Sequence, residues 1–346
     1  MIFLLKSITG CNMAIDFDSL ISIDKKWVDR ELTHHYDKYI NDKLKVRLYT
    51  IIPSGTTVDC ISLANALLDL LPNYFKTKSN INKEIQREVD KTINEGTTAS
   101  DIELKEKAIS LISGRNYREA ARFFKKKNPD SKSGKYGELM LFGLVESIFN
   151  CKMIAHKISN LTNYHDEVKG GDGIFLGDYK IRSGIEKPAY LIGESKVWKT
   201  YSSAKTDALD SINRFYDPKV QATFKSLEFF IAEKDIDKFS DDEIDIDELY
   251  DRVNPNSKLF KSQVAVHPIL IMYETKAYND LMIKASDNVE LEKMISENIQ
   301  KRIDSTLEKI SEKVKEYPFL ERVYLDFILV PTDSIENFNN TMDNLI

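Results

Sequence analysis

The chain has 346 residues, with 55 acidic and 49 basic side chains and a formal net charge of −6. That length can bury a substantial core and hold more than one structural unit. The negative balance argues against a general polyanion binder, so any nucleic-acid contact must run through local basic patches. No apolar run reaches membrane-spanning length, and MIFLL at the start is too short for a signal h-region. Three widely spaced cysteines, Cys11, Cys60 and Cys151, fit reduced core thiols better than a disulfide framework or a zinc site. The expected location is the cytoplasm.

In chain order, LKVRLYTIIP (residues 44–53) has strand character and stops at Pro53 and Gly55. SLANALLDLLPNYF then reads as a helix stopped by Pro72. This pair predicts an N-terminal α/β region over residues 1–100 and a second domain over 101–346. Residues 76–100 are polar and charged, and read as a linker or an exposed helical connection. Next, GRNYREAARFFKKKN gathers Arg115, Arg118, Arg122, Lys125, Lys126 and Lys127 with Tyr117, Phe123 and Phe124. Arg118 and Arg122 are the candidate phosphate contacts from this run, although a cationic helix end with an apolar inner face explains the same residues.

GELMLFGLVESIFNCKMIAHKI follows, where Leu139, Phe142, Leu144, Val145, Ile148, Phe149 and Met153 form a broad apolar helical face opened by Glu138. Glu138 is a candidate third carboxylate for a metal, with Glu146, two turns later, as the weaker choice. A helix N-terminus favours an acid for purely electrostatic reasons as well. His34 and His35 are adjacent and diverge on any regular element, and His165 reads as a polar loop residue.

The stretch from Gly170 to Trp198 places Asp172 early in one predicted strand and Glu194 and Lys196 on the next. Side chains alternate across a strand, so Glu194 and Lys196 share a face while Ser195 points away. An acid two residues before a lysine starts at Asp24, Glu103, Asp130, Glu167, Asp178, Glu194, Asp217 and Glu274, so the spacing alone decides nothing. Only Glu194 and Glu274 end apolar strand-like runs, and only Glu194 has another acid at hairpin distance in a Gly-bounded strand. Glu274 reads as the decoy. A mutually neutralising surface pair is the bland account of Glu194 and Lys196.

The helix expected after this strand starts near Ser202 or Ser203 with Asp207 and offers Lys205 and Arg214 as further phosphate contacts, with Lys169 upstream. EKDIDKFSDDEIDIDELYD, residues 233–251, is an acidic insertion, read as a solvated loop or, more sharply, as a shield that keeps DNA from the cleft. QVAVHPILIMY and RVYLDFILVP are predicted strands, and the stripe Leu291, Ile295, Ile299, Ile303, Leu307, Ile310 and Val314 between them predicts a long amphipathic helix. GGDG lacks the Gly-Lys-Ser/Thr that a phosphate loop needs.

Two carboxylates with an ammonium beside them are what a magnesium-dependent phosphodiesterase uses: oxygens for a hard cation and a positive group next to the attacked phosphate. The expected metal set is Asp172 and Glu194, helped by Glu138 and the Ser195 carbonyl, holding magnesium with manganese as the alternative. Lys196 completes the expected catalytic set.

With Gly137-Glu138 opening the helix, Lys169 to Gly173 at the strand start and Gly193-Glu194-Ser195-Lys196 on the next strand, the chain resembles the PD-(D/E)XK nuclease superfamily and, within it, the HamA proteins of the Hachiman antiphage defence system. The superfamily resemblance covers roughly residues 130–275; the closer one rests on the three motifs and the overall length. It implies an α/β fold: a PD-(D/E)XK restriction-endonuclease-like core, with a mixed central sheet flanked by helices, plus an N-terminal α/β extension. It further implies a metal-dependent DNA endonuclease working with a HamB-like superfamily two helicase. A non-catalytic nucleic-acid-binding or helicase-docking subunit that retains the fold is the alternative reading.

Overall fold

The structure, a computed structural model, describes residues 15–96, 98–126, 134–156, 171–217, 232–233, 236–239 and 244–346. Its strands are β1 (Leu32–Tyr39), β2 (Leu44–Ile51), the short pair β3 (Pro53–Ser54) and β4 (Thr57–Val58), β5 (Lys152–His156), β6 (Gly173–Lys180), β7 (Glu186–Trp198), β8 (Val264–Glu274) and β9 (Tyr324–Thr332). Seven of them form one mixed sheet in the order β1-β2-β9-β8-β7-β6-β5. The four middle strands, β2, β9, β8 and β7, run parallel, and an antiparallel hairpin closes each side. Parallel strands are covered on both faces, so β8 and β9 read as almost unbroken apolar runs.

The helices before the site are α1 (Phe17–Leu20), α2 (Trp27–Glu31), α3 (Cys60–Asp69), α4 (Leu71–Phe75), α5 (Lys78–Asn94), α6 (Asp101–Lys126) and α7 (Gly134–Leu144). After it come α8 (Tyr201–Arg214), α9 (Ile246–Val253), α10 (Lys258–Ser262), α11 (Ala277–Lys284), α12 (Asn288–Lys315) and α13 (Ile335–Leu345). α7 covers one face of β7 and β8, while α8 covers the other and packs on α12. The expected mixed sheet flanked by helices is what forms.

The expected division near residue 100 does not separate two sheets. β2 belongs to the N-terminal region, yet it pairs in parallel with β9 from Leu44↔Leu325 to Leu48↔Leu329. Arg47 of β2 makes two bonds to Asp326 of β9, Nε to Oδ1 at 2.9 Å and Nη2 to Oδ2 at 3.1 Å. A fully buried carboxylate held by a fork of two N–H groups is a strong, directional tie between the two regions. Residues 76–100 are largely the helix α5, which has no buried residue and lies along α6.

The helix expected through Met153 ends earlier. α7 passes into one π turn, Val145–Phe149, and Asn150 stops it in the left-handed region at φ 53°. Asn tolerates that conformation better than most residues, and KMIAH then runs as β5 at the sheet edge. Helical periodicity missed this because the buried apolar residues of a helix and of a following strand look alike over one or two turns. The long amphipathic helix is α12, with Leu291, Ile295, Ile299, Ile303, Ile310 and Val314 buried and Asp287 capping Glu290 N–H at 2.8 Å. Part of the acidic stretch is folded: in α9, Leu249, Arg252 and Val253 are buried and Asp245 caps the first turn. Residues 234–235 and 240–243 of that stretch lie outside the described residues.

Candidate active site

The hairpin of β6 and β7 builds the site. Its register runs from Lys180↔Glu186 to Gly173↔Gly193, and Asp172 N–H donates to Gly193 O at 2.9 Å. One further step sets Asp172 opposite Glu194. Asp172 thus stands one residue before the strand, and its Oδ2 accepts from Ser195 N–H and from Ser195 Oγ, both at 2.7 Å.

β7 is sided as alternation requires. Gly193, Ser195 and Val197 face α7, and the approach is close: a Cβ on Gly137 of α7 would stand 2.8 Å from Val197 Cγ2 and 3.0 Å from Ser195 Oγ. Only glycine allows this contact. Glu194 and Lys196 face the other way, toward α8, where Ser211 and Asp207 are neighbours. On the far side of β7, Pro268 of β8 has no N–H to give to the ladder. His267 Nδ1 donates to Ile192 O at 3.0 Å, and Tyr216 OH donates to Nε2 at 2.6 Å, where the pairing of β7 with β8 passes from Leu191↔Val266 to Glu194↔Ile269.

Glu194 is buried, and Lys196 pairs with its Oε1. Its Oε2 is buried without a hydrogen-bond partner among the described residues. Burial, reinforced by the Asp172 charge and opposed by Lys196 and Ser211, raises the Glu194 pKa from 4.5 to about 7. Burial works against the Lys196 ammonium, but Glu194 and Asp172 outweigh it and raise its pKa, so the amine stays charged at neutral pH. Two carboxylates with one unsatisfied buried oxygen suit magnesium, which takes one or two protein carboxylates and fills its remaining positions with water and phosphate. Among the described residues no group of three or more His, Cys, Asp or Glu side chains is placed to hold a metal ion, so the candidate donors are this pair of carboxylates.

The expected third acid stands apart from this pair. α7 begins at Gly134, so Glu138 lies in its second turn and does not open it. Its Oε2 accepts from Tyr74 OH at 3.5 Å. Tyr74 is buried, and both Glu138 and Asp172 help push its hydroxyl pKa up after burial itself. Tyr74 therefore links Glu138 to the Asp172 side of the hairpin, while the charges acting on Glu194 are Asp172 and Lys196. Nothing in LLPNYF distinguished Tyr74 from any other aromatic in an apolar helix. Its role comes from α4 packing beside α7.

A family model for HamA matches residues 22–346, a span that takes in every strand of the sheet. The chain belongs to the HamA family. No curated relative matches it. In this HamA-family chain no described helix is long and apolar enough to cross a membrane.

The remaining expected residues of the HamA-family chain fall as follows. Lys205 is corrected from a phosphate contact to a packing residue: it is buried, its Nζ donates to Lys309 O on α12 at 2.7 Å, and it lies over the Tyr201 ring. Arg214 is exposed at the end of α8 and donates to Ser211 Oγ at 3.0 Å, which brings a cation to the neighbourhood of Glu194. Arg118 and Arg122 are exposed on α6, four residues apart on one stripe. Lys169, Lys127 and His165 lie outside the described residues. Glu146 is removed from the site altogether, because it is buried against Lys152 at 2.7 Å and accepts Met153 N–H at 3.1 Å. Ser195 meets Asp172 through its N–H and hydroxyl. The decoy Glu274 accepts Ile335 N–H at 3.0 Å and so serves the start of α13. The N-cap position of α8 is Thr200, two to three residues earlier than the expected Ser202 or Ser203.

Proposed function

We propose that this HamA-family chain is a metal-dependent DNA endonuclease, the effector of an antiphage defence complex that works with a HamB-like superfamily two helicase. The observation that carries the reading is the meeting of Asp172, Glu194 and Lys196 where β7 emerges from its covered central stretch, with one Glu194 oxygen buried and unsatisfied. The PD-(D/E)XK superfamily motif order around that meeting supports it.

Glu194 and Asp172 would hold magnesium, while Glu138, apart from this pair on the α7 side, accepts from Tyr74. The cation would supply neutralisation of charge at the phosphate and activation of the attacking water. Lys196 remains protonated between two acids, so its part is to stabilise the extra negative charge on phosphate oxygens, not to remove a proton. A positioned donor of this kind is worth roughly 2 to 4 kcal/mol of barrier. Asp172 fixes the backbone between the two reacting side chains through Ser195. Arg214 stands where it can meet a flanking phosphate, and α6 offers Arg118 and Arg122 for the longer backbone track.

The test is plasmid cleavage with magnesium against chelator, on the chain alone and with the product of its genomic neighbour added. Glu194→Ala and Lys196→Ala should still fold cooperatively and keep DNA affinity, and should fail to nick. Full cleavage by both variants refutes the catalytic assignment and leaves a binding or docking subunit.

A further inference from the structure

The face of β7 that carries Glu194 and Lys196 continues one step further to Trp198, the last residue of the strand. Along this face the environment opens from the buried Glu194 to Trp198, which is 46% exposed. Trp27, the other tryptophan of the chain, is 1% exposed. Among the described residues Trp198 is the one large exposed aromatic on the sheet.

Its position is also rigid. Trp198 stands opposite Tyr273 in the parallel ladder with β8, and Tyr273 packs against Tyr201 with ring centroids 4.9 Å apart. An indole anchored at its backbone and left open to solvent gives up hydrophobic free energy that a covering ring would recover.

We propose that Trp198 is a stacking platform for one base of a DNA strand whose neighbouring phosphate sits at Lys196, so that the substrate of this site is single-stranded or locally unpaired DNA. This rests on the nuclease reading above and adds the substrate class to it. Two residues along a strand advance about 7 Å, on the order of one nucleotide of an extended chain. Bases inside a duplex are covered on both faces by their neighbours, whereas an unpaired base offers a free face to an aromatic ring. The charges nearby agree in sign with a backbone: Lys196 on the same face, Lys199 next in sequence and Arg214 exposed on α8. Among the described residues Lys199 pairs with Glu336 at 3.9 Å, a surface contact that salt and phosphate can displace.

Because Trp27 is buried and Trp198 is open, a change in tryptophan emission on adding a surface ligand reports on Trp198. The chain is titrated, with calcium replacing magnesium to prevent cleavage, against single-stranded oligothymidine and against a blunt hairpin of equal phosphate number. The single strand should quench emission and the hairpin should not. Trp198→Ala should weaken oligothymidine binding about ten-fold or more while changing hairpin binding little, and Trp198→Phe should stay within a few-fold of the parent. Emission that ignores DNA of both forms, or unaltered single-strand affinity in Trp198→Ala, overturns the proposal. Plasmid or oligonucleotide cutting by the parent chain with magnesium is scored in parallel. Cutting without any Trp198 effect sinks this inference alone, whereas Trp198-dependent binding without cutting sinks the nuclease reading alone.

Discussion

Asp172 holds Ser195 by two hydrogen bonds on one carboxylate oxygen, and Ser195 is the residue between Glu194 and Lys196. The acid that precedes β6 thereby fixes the geometry of a pair more than twenty positions further along the chain. Ser195→Ala keeps the N–H bond and loses the hydroxyl bond. A bond to a carboxylate is worth about 1.5 to 3 kcal/mol, so the melting temperature should drop, and cleavage should fall without vanishing. Steady-state nicking rates beside a thermal melt check this, and an unchanged rate would detach Asp172's grip on Ser195 from function.

Gly137 should tolerate no side chain. An added Cβ meets Val197 Cγ2 at 2.8 Å and Ser195 at its Oγ and Cβ, and both belong to a strand locked in a central sheet. Gly137→Ala should cost about 1 to 3 kcal/mol by overpacking, and cleavage should fall with stability because the displaced strand carries Glu194 and Lys196. Denaturant unfolding measures the first effect.

Glu194 makes the metal-free protein sensitive to pH. Its folded-state pKa is raised from 4.5 to about 7, so its contribution to stability is fully present below about pH 4.5 and is lost as pH rises through about 7. The change is on the order of 3 kcal/mol. Glu194→Gln should flatten the stability profile between these limits, and added magnesium should restore stability to the parent at high pH but not to the variant. Chemical denaturation at a series of pH values, with and without chelator, reads both.

The pair Glu146–Lys152 is buried and lies away from the site. Removing one partner leaves a buried charge uncompensated, which costs about 3 to 5 kcal/mol. Glu146→Ala should therefore unfold early, and Glu146→Met with Lys152→Met should recover most of the loss. Because Glu146 has no part in the proposed chemistry, the double variant should cut DNA at the parent rate.

A fragment of residues 101–346 should not fold as a unit. It lacks β1 and β2, exposes the edge of β9 and leaves Asp326 without Arg47. Circular dichroism and hydrogen exchange on the fragment decide the point, and a cooperative melt near that of the whole chain would restore the boundary near residue 100.

Local chemistry made much of this protein legible from its residues alone. The alternation along AYLIGESKVW put Glu194 and Lys196 on one face, the spacing of Leu291 to Val314 drew a 28-residue helix, and apolar runs marked β8 and β9. Each of these depends on side-chain period within a single element, which sequence encodes directly. What depended on long-range pairing was hidden. That β2 joins β9, that Lys205 is covered by α12 while Arg214 stays open, that Tyr74 reaches Glu138 and that Glu146 is neutralised by a lysine of the next strand all follow from which elements become neighbours. Periodicity says which face of an element seeks cover. Only the packed sheet decides what covers it, because burial, and with it every shifted pKa and paired charge, comes from partners distant along the chain.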